Sequence, residues 1–147
     1  MLVNVKPRIR DEEIVELLEL CVFPDPERLE RVIADYAGNP ELQLYGYESE
    51  GEIVGVIGFR QVEQSADIVI EHLAVKPECR GAGFGRGQIL EVIEMTKPRL
   101  VLAETDEEAV EFYRRIGFEI ESLGEKYPGV ERFRCTYDTA EREEETT

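Results

Sequence analysis

The sequence has few of the features that mark a membrane protein or a secreted protein. No apolar run approaches the length of about 20 residues that a membrane-spanning helix needs. The first residues show no basic segment followed by an apolar core, which is the pattern of a secretory signal. We therefore expect a cytoplasmic protein that has no membrane partner.

Positive charge is also scarce. The chain has 17 Lys and Arg residues against 33 Asp and Glu residues, and its net charge is −16. Nucleic-acid binding needs basic patches, so we expect no nucleic-acid partner. Part of the negative charge lies in residues 139–147, which we expect to form an acidic, disordered tail after a single domain over residues 1–138. The remaining charge either keeps the protein soluble or attracts a cationic substrate.

Cysteine is rare, and its spacing suggests no pairing. Cys21, Cys79 and Cys135 lie far apart and form no Cys-x-x-Cys motif, so the sequence predicts no disulfide and no metal site. Cys21 lies on an apolar helix face and Cys135 in a strand-like run, which places both in the expected core. Cys79 lies beside the glycine-rich stretch described next, but no pattern marks it as a nucleophile.

The most informative stretch predicts a strand, a glycine-rich loop and a helix in succession. The sequence predicts a strand over residues 67–75, with an apolar run from Ile70. Lys76-Pro77 ends this strand because proline cannot donate to a sheet ladder. Three glycines then alternate with larger residues between Arg80 and Arg86. A helical pattern follows at the spacing i, i+3, i+4, i+7, and its members are Ile89, Val92, Ile93 and Thr96.

This order of elements is suited to binding a phosphate group. The first amides of a helix have no partner within the helix, and the helix dipole adds positive potential there. Glycines let an anion approach the backbone closely, and Arg80 and Arg86 add charge. The alternative is an ordinary strand-to-helix turn. The stretch is not a Walker motif, because no Gly-Lys-Ser/Thr follows, and the Gly-x-Gly-x-Gly spacing does not fit a dinucleotide fingerprint.

The flanking sequence predicts a mixed sheet with helices on its faces. Before the stretch we predict a strand over residues 2–8, a helix opened by Asp11, a helix capped by Asp25, and an antiparallel hairpin of strands 41–48 and 53–62. After it we predict a buried strand over 99–104, a helix from Asp106 to its C′ residue Gly117, and a hairpin of strands 118–123 and 130–137. The predicted fold class is therefore α/β, with a mixed α+β sheet.

Two stretches resemble the motifs of a known family. Leu73-Ala74-Val75, a short turn and Arg80-Gly-Ala-Gly-Phe-Gly-Arg86 resemble the acetyl-CoA-binding motif of the GNAT N-acetyltransferases. Asp106-Glu-Glu-Ala109-Val-Glu-Phe112-Tyr113-Arg-Arg-Ile-Gly117-Phe118 resembles the family pattern Asn-x-x-Ala-x-x-Phe-Tyr-x-x-x-Gly-Phe. The resemblance covers residues 40–138, and more loosely the N-terminal third.

The resemblance implies a fold and a reaction. The GNAT fold has a mostly antiparallel central sheet of about seven strands, whose middle strands splay apart, with about four helices on its faces. The implied enzyme is an acyltransferase that moves an acetyl group from acetyl-CoA directly to a primary amine. The acceptor is expected to be a small molecule or a peptide, and whether it is cationic is left open. Whether the protein forms a homodimer is also left open. The alternatives are a sensor that binds acyl-CoA without turnover and an acidic interaction module that has kept the fold.

The resemblance also assigns residues to the cofactor. The amides of Gly81 to Arg86 are expected to hold the pyrophosphate, and the main chain of Leu73 and Val75 to pair with the pantetheine amides. Asp106 replaces the family's asparagine, so it is either a cofactor contact or only an N-cap. The full set of expected cofactor-binding residues is Leu73, Ala74, Val75, Arg80, Gly81, Ala82, Gly83, Phe84, Gly85, Arg86, Asp106, Ala109 and Phe112.

Three residues are the expected catalytic groups. Tyr113 matches the family's general acid, which would protonate the departing thiolate, although its place on an apolar helix stripe also fits core packing. Glu71 and His72 are the candidate general bases, with Glu71 preferred and Asp67 behind them. Neighbours on a strand face opposite sides, so at most one of the two points at the amine unless a bulge intervenes. A water molecule that relays the proton is the further alternative.

Overall fold

The computed structural model describes residues 1–22, 25–62 and 64–140. These residues form seven strands, four α-helices and two 3₁₀-helices. The strands are β1 (Leu2–Asn4), β2 (Leu42–Ser49), β3 (Glu52–Gln61), β4 (Ile68–Val75), β5 (Leu100–Thr105), β6 (Glu119–Tyr127) and β7 (Val130–Asp138). The helices are α1 (Glu12–Val22), α2 (Pro26–Gly38), α3 (Phe84–Thr96) and α4 (Val110–Ile116), and the 3₁₀-helices are Lys6–Arg8 and Pro77–Cys79. Within these ranges no helix combines the length and the apolar character that a membrane crossing requires.

The strands form one mixed sheet in the order β1-β2-β3-β4-β5-β7-β6. β4 and β5 run parallel, whereas the pairs β1–β2, β2–β3, β5–β7 and β6–β7 are antiparallel. The parallel register covers three pairs, from Ile68 opposite Val101 to Ile70 opposite Ala103. This sheet and its helices confirm the predicted fold class.

Two compact units can be distinguished along the chain. Unit 1 consists of Met1–Arg60 and Glu71–Thr96, and unit 2 consists of Gln61–Ile70 and Lys97–Thr147. The boundary passes through β4, whose first three residues belong to unit 2 and whose remaining residues belong to unit 1. The tail expected over residues 139–147 lies outside the described residues from position 141 onward.

The core of unit 1 forms where α1 and α2 pack their apolar stripes on the first strands. Its buried side chains include Ile14, Leu17 and Leu18 from α1, Ile33 and Tyr36 from α2, and Leu44, Val56 and Ala74 from the strands. The predicted N-cap of α2 is confirmed, because the Asp25 side chain accepts a hydrogen bond from the Arg28 amide at 3.0 Å. Pro26 occupies the first helical position, where a missing N–H costs nothing.

The first strand is shorter than the sequence predicted. β1 ends at Asn4, and Lys6–Arg8 form a 3₁₀-helix instead of continuing the strand to Arg8. The Asn4 side chain accepts a hydrogen bond from the Lys6 amide at 3.0 Å, which closes a local turn. Pro7 then cannot donate to a sheet ladder, so the chain leaves the sheet edge here.

The three cysteines are free thiols with different surroundings. Cys135 is fully buried, as predicted. Cys21 is only half-buried, and its thiol contacts the carbonyl oxygens of Leu17 and Leu73 at 3.9 and 3.7 Å. Burial raises the pKa of Cys21 to about 11, so its thiol stays protonated near neutral pH.

Helix α4 of unit 2 ends at the glycine that the sequence predicted, but it begins later than predicted, and its N-cap position is Ala109, without a side-chain cap, instead of Asp106. Asp106 Oδ1 accepts hydrogen bonds from the amides of Glu108 and Ala109 at 3.0 and 3.1 Å. The residues between Asp106 and Val110 form a turn, and the α-helix proper begins at Val110. Gly117 ends it at a φ of +118°, which is the left-handed conformation that favours glycine at C′.

Replacing Gly58 by alanine should destabilise the protein. An added Cβ on β3 would overlap the hydroxyl oxygen of Tyr36, and that oxygen belongs to a rigid ring that is 1% exposed. Overpacking of this kind costs about 1–3 kcal/mol of unfolding free energy, which urea denaturation measures. Gly38→Ala is the matched control, because a Cβ there meets nothing within 4 Å. Equal stability of the two variants would contradict the close packing of Tyr36 on Gly58.

Candidate active site

The glycine-rich loop of unit 1 owes its shape to two glycines in left-handed backbone conformations. Gly81 and Gly83 have φ values of +87° and +85°. A Cβ added at either position would meet nothing within 4 Å, so glycine is required there for the conformation rather than for space. The loop faces open space, because residues 80–83 are all exposed.

Helix α3 begins inside the glycine motif, earlier than the apolar pattern alone indicates. Phe84, Gly85 and Arg86 form its first turn, and the Gly87 amide donates to the Gly83 carbonyl at 2.8 Å. The amides that precede Gly87 are therefore those without a partner inside the helix. The predicted order of strand, glycine-rich loop and helix is confirmed.

The two arginines of the motif have different surroundings. Arg80 Nε donates to the carbonyl oxygen of Val75 at 3.1 Å, which ties the side chain to the end of β4. Arg86 is exposed, and within the described part of the chain it has no ion-pair partner. Arg86 is thus the guanidinium that can turn toward an anion at the first turn of α3 without breaking an ion pair.

A buried glutamine that the sequence analysis did not single out joins α3 to β4. Gln88 is fully buried, and its Nε2 donates to the carbonyl oxygen of Ala74 at 3.3 Å. Gly55 leaves room for this contact, because a Cβ there would come within 2.8 Å of Gln88 Nε2. Gln88 lies four residues before Val92 on the apolar stripe, and a polar residue on that stripe was the signal available in the sequence.

An open cleft of about 370 Å³ lies on unit 1. Its lining residues come from α2, from the segment after it, and from β2, β3 and β4; they are Val32, Asp35, Tyr36, Asn39, Leu42, Arg60, Glu71 and His72. Both candidate bases, Glu71 and His72, line this cleft. Asp35, Tyr36 and Arg60 also line the cleft, and none of them was among the site residues predicted from the sequence.

Glu71 is held by an ion pair across the cleft. Arg60 Nε donates to Glu71 Oε1 at 2.6 Å, and both side chains are partly exposed. Such a pair contributes little to stability, because water screens it. Its effect here is positional, since it occupies one carboxylate oxygen of Glu71 with a permanent cation.

The half-buried His72 and the buried Tyr36 form a polar pair beside that ion pair. Tyr36 Oη and His72 Nδ1 are 2.7 Å apart, and the ring centroids are separated by 5.6 Å. Burial lowers the pKa of His72, while Glu71 raises it and Arg28 lowers it to smaller extents. Burial also raises the pKa of Tyr36 far above its ordinary value, with Glu71 and Cys21 as smaller causes. The phenol therefore keeps its proton, and the imidazole is neutral near neutral pH.

Tyr113, the expected acid, lies in an aromatic cluster of unit 2. It is 7% exposed, and its ring centroid lies 5.1 Å from those of Phe112 and Phe118 in edge-to-face arrangements. Val110 is the other buried side chain of α4, although the apolar stripe predicted from the sequence consisted of Ala109, Phe112, Tyr113 and Ile116. The ring packing fits a core role for Tyr113, and its acid role stays a prediction.

Comparison with known proteins identifies the family. Residues 11–118 match the family model described as acetyltransferase (GNAT) family. This match covers more than half of the chain. The chain belongs to the GNAT acetyltransferase family. The resemblance inferred from the glycine-rich loop and from the Phe112-Tyr113 motif is confirmed at the level of the family.

Individual relatives support the same fold. A 5-NmdU N-acetyltransferase of Pseudomonas phage PaMx11 is 35% identical over 82 residues, which cover 52% of this chain and only 59% of that protein. A GNAT-family protein from Desulfovibrio desulfuricans superimposes with a TM-score of 0.79 at 17% identity, over 94% of this chain and 98% of that one. An aminoglycoside 6′-N-acetyltransferase complexed with coenzyme A gives a TM-score of 0.74 at 15% identity, over 94% and 96% of the two chains.

The lowered pKa of His72 should make stability depend on pH. The unfolded chain holds His72 near its ordinary pKa of 6.5, and the folded value lies below that. Between the two values the unfolded state binds more protons, so the unfolding free energy rises with pH there, by at most about 1.4 kcal/mol per pH unit.

Urea denaturation between about pH 5 and pH 8 measures this effect. Subtracting the unfolding free energy of His72→Gln from that of wild type at each pH removes the contribution that the carboxylates make to both. Wild type should lose stability relative to this variant as the pH falls below 6.5. Parallel curves would show that burial does not disfavour the charged imidazole.

Proposed function

We propose that this protein transfers an acetyl group from acetyl-CoA directly to a primary amine of a small molecule or peptide. The proposal depends most on the loop at Gly81 and Gly83, whose positive φ values leave amides exposed at the start of α3. Membership of the GNAT family supports the acetyl transfer. The similar fold of an aminoglycoside acetyltransferase complexed with coenzyme A supports the choice of cofactor.

The cofactor would bind along unit 1 through backbone groups. The amides of Gly81–Arg86 would hold the pyrophosphate, with Arg86 adding positive charge. The main chain of Leu73 and Val75 would pair with the pantetheine amides as an added strand does. The Leu73 carbonyl accepts a weak thiol contact from Cys21 at 3.7 Å, and a carbonyl oxygen has two lone pairs, so it can accept a second hydrogen bond.

The proposed reaction is one nucleophilic displacement at the thioester carbonyl. The neutral amine attacks the carbonyl carbon, a C–N bond forms, and the C–S bond breaks. The ammonium must first lose a proton, to Glu71, to His72 or to water. As the amide forms, the nitrogen loses a second proton to water. The departing thiolate gains a proton, for which we propose Tyr113, and the phenolate then regains a proton from water. A CoA thiol resembles a free thiol with a pKa of about 8.5, so this final step needs only modest help near neutral pH.

The proposed acceptor is cationic. The net charge of −16 attracts cations over the whole surface, and the cleft adds Asp35, an exposed acid for which the described residues offer no ion-pair partner. The similarity in fold to an aminoglycoside acetyltransferase is consistent with such an acceptor. Solubility remains the alternative explanation for the charge outside the cleft.

Gly83→Asp should abolish the rise in melting temperature that CoA produces. A ligand that binds only the folded state stabilises it by mass action, and this substitution adds bulk and negative charge where the phosphates would approach. Gly51→Asp is the matched control, because Gly51 has nearly the same φ of +82° and equally open surroundings on the β2–β3 turn. If Gly83→Asp folds and binds CoA as wild type does, the pyrophosphate site lies elsewhere.

A panel of amines assayed with acetyl-CoA tests the reaction, and Tyr113→Phe tests the acid. With the best acceptor, Tyr113→Phe should lower kcat by roughly 10- to 1000-fold while CoA binding is kept, because a phenol with a pKa near 10 stays protonated and can donate. Tyr137→Phe removes the hydroxyl of a buried residue in the same aromatic cluster and should change kcat less than about twofold.

Two outcomes, with melting curves as the control, decide between the alternatives. Full kcat in Tyr113→Phe, with chemistry rate-limiting, would make Tyr113 a packing residue. Melting curves of both phenylalanine variants separate a loss of catalysis from a loss of folding. CoA binding without turnover of any amine would indicate a sensor rather than an enzyme.

A further inference from the structure

The hydrogen bond between Tyr36 and His72 decides what His72 can offer to the cleft. Tyr36 is 1% exposed, and His72 Nδ1, at 2.7 Å, is the only hydrogen-bond partner of its hydroxyl among the residues that the structure describes. Gly58 lies so close to this hydroxyl that an added Cβ would overlap it. The phenol is therefore fixed against the imidazole and shielded from water.

A buried hydroxyl must place its hydrogen on an acceptor. If His72 carried its hydrogen on Nδ1, the imidazole would donate to Tyr36, and the phenol O–H would have no acceptor. If His72 carries its hydrogen on Nε2, then Nδ1 is an acceptor and the phenol donates to it. The second arrangement satisfies both groups, and it leaves Nε2–H as the polar group that His72 can turn to a ligand in the cleft.

We propose that His72 presents a fixed Nε2–H donor to the cleft and binds an oxygen atom of the acceptor substrate, instead of removing the proton from its amine. That the ligand is the acetyl acceptor rests on the proposed function, whereas the hydrogen position on His72 does not. Tyr36 is then a positioning residue, since it acts on the substrate only through the imidazole. This assignment leaves Glu71 or a water molecule to take the proton of the ammonium.

The charged groups around His72 define the class of acceptor. Glu71 is paired with Arg60, and Arg28 lies within electrostatic range of the imidazole. Asp35 is exposed in the same cleft and can accept a hydrogen bond from an ammonium. A donor at His72 and an acid at Asp35 fit an amine that also carries a hydroxyl or carbonyl oxygen, rather than a plain alkylamine.

Nitrogen-15 NMR tests the hydrogen position directly, because His72 is the only histidine of the chain. We expect the neutral imidazole to be protonated on Nε2 and unprotonated on Nδ1. In Tyr36→Phe the preference should weaken, because the donor to Nδ1 is gone. Tyr45→Phe, which alters a ring stacked on Phe59, is the control and should leave both signals unchanged. A wild-type imidazole protonated on Nδ1 would overturn the proposal.

A pair of probes that differ by one hydroxyl tests the ligand class. 1,3-Diamino-2-propanol should shift the Nε2–H signal at concentrations where 1,3-diaminopropane does not, and it should bind roughly 3- to 10-fold more tightly. Equal effects of the two amines would overturn the assignment of an oxygen ligand. Neither measurement needs turnover, so failure of acetyl transfer would reject the proposed function and leave the assignment of His72 intact.

Kinetics separates a donor from a base. Glutamine keeps an N–H donor, whereas leucine has none. KM for the hydroxylated amine should therefore be roughly 3- to 10-fold lower in His72→Gln than in His72→Leu. The pH at which kcat/KM begins to rise should be the same in wild type and His72→Gln. Loss of that ascending limb in His72→Gln would show that His72 is the base and would overturn the proposal.

Discussion

The close approach of α2 to β3 depends on the absence of a side chain at Gly58. With only a hydrogen at this position, the Tyr36 ring reaches the sheet with its hydroxyl beside His72. The same ring is among the largest fully buried side chains of the core. One contact therefore serves both the packing of α2 and the placement of an imidazole at the cleft.

Strand β4 gathers most of the chemistry of unit 1 into a short length of chain. Glu71 and His72 lie near the middle of the strand at the cleft, and the loop that follows Val75 leads to the open amides of α3. Gln88 fastens that helix back to the strand through the Ala74 carbonyl. The two functions proposed here, binding of the cofactor and recognition of the acceptor, thus share one strand and one buried amide contact.

Local features of the fold could be predicted, because a few neighbouring residues determine them. Asp25, Gly117 and the glycine-rich loop obey capping and backbone preferences that hold whatever surrounds them. The cleft could not be predicted in this way. Tyr36 and Arg60 reach it only through the packing of α2 and the register of β3, and the periodicity of α2 shows Tyr36 only as one more buried ring. The early end of β1 was missed because the Asn4 side chain competes with the sheet for a backbone amide.

The division of the chain into two units has a consequence for folding during synthesis. All of unit 1 has left the ribosome once Thr96 has emerged, whereas the larger segment of unit 2 begins only at Lys97. Residues 68–70 must wait for that segment, because their partner strand β5 is made later. The nascent protein therefore passes through a stage in which the cleft residues and the glycine-rich loop can already pack, while the first three residues of β4 still expose an unpaired edge to chaperones and to other chains.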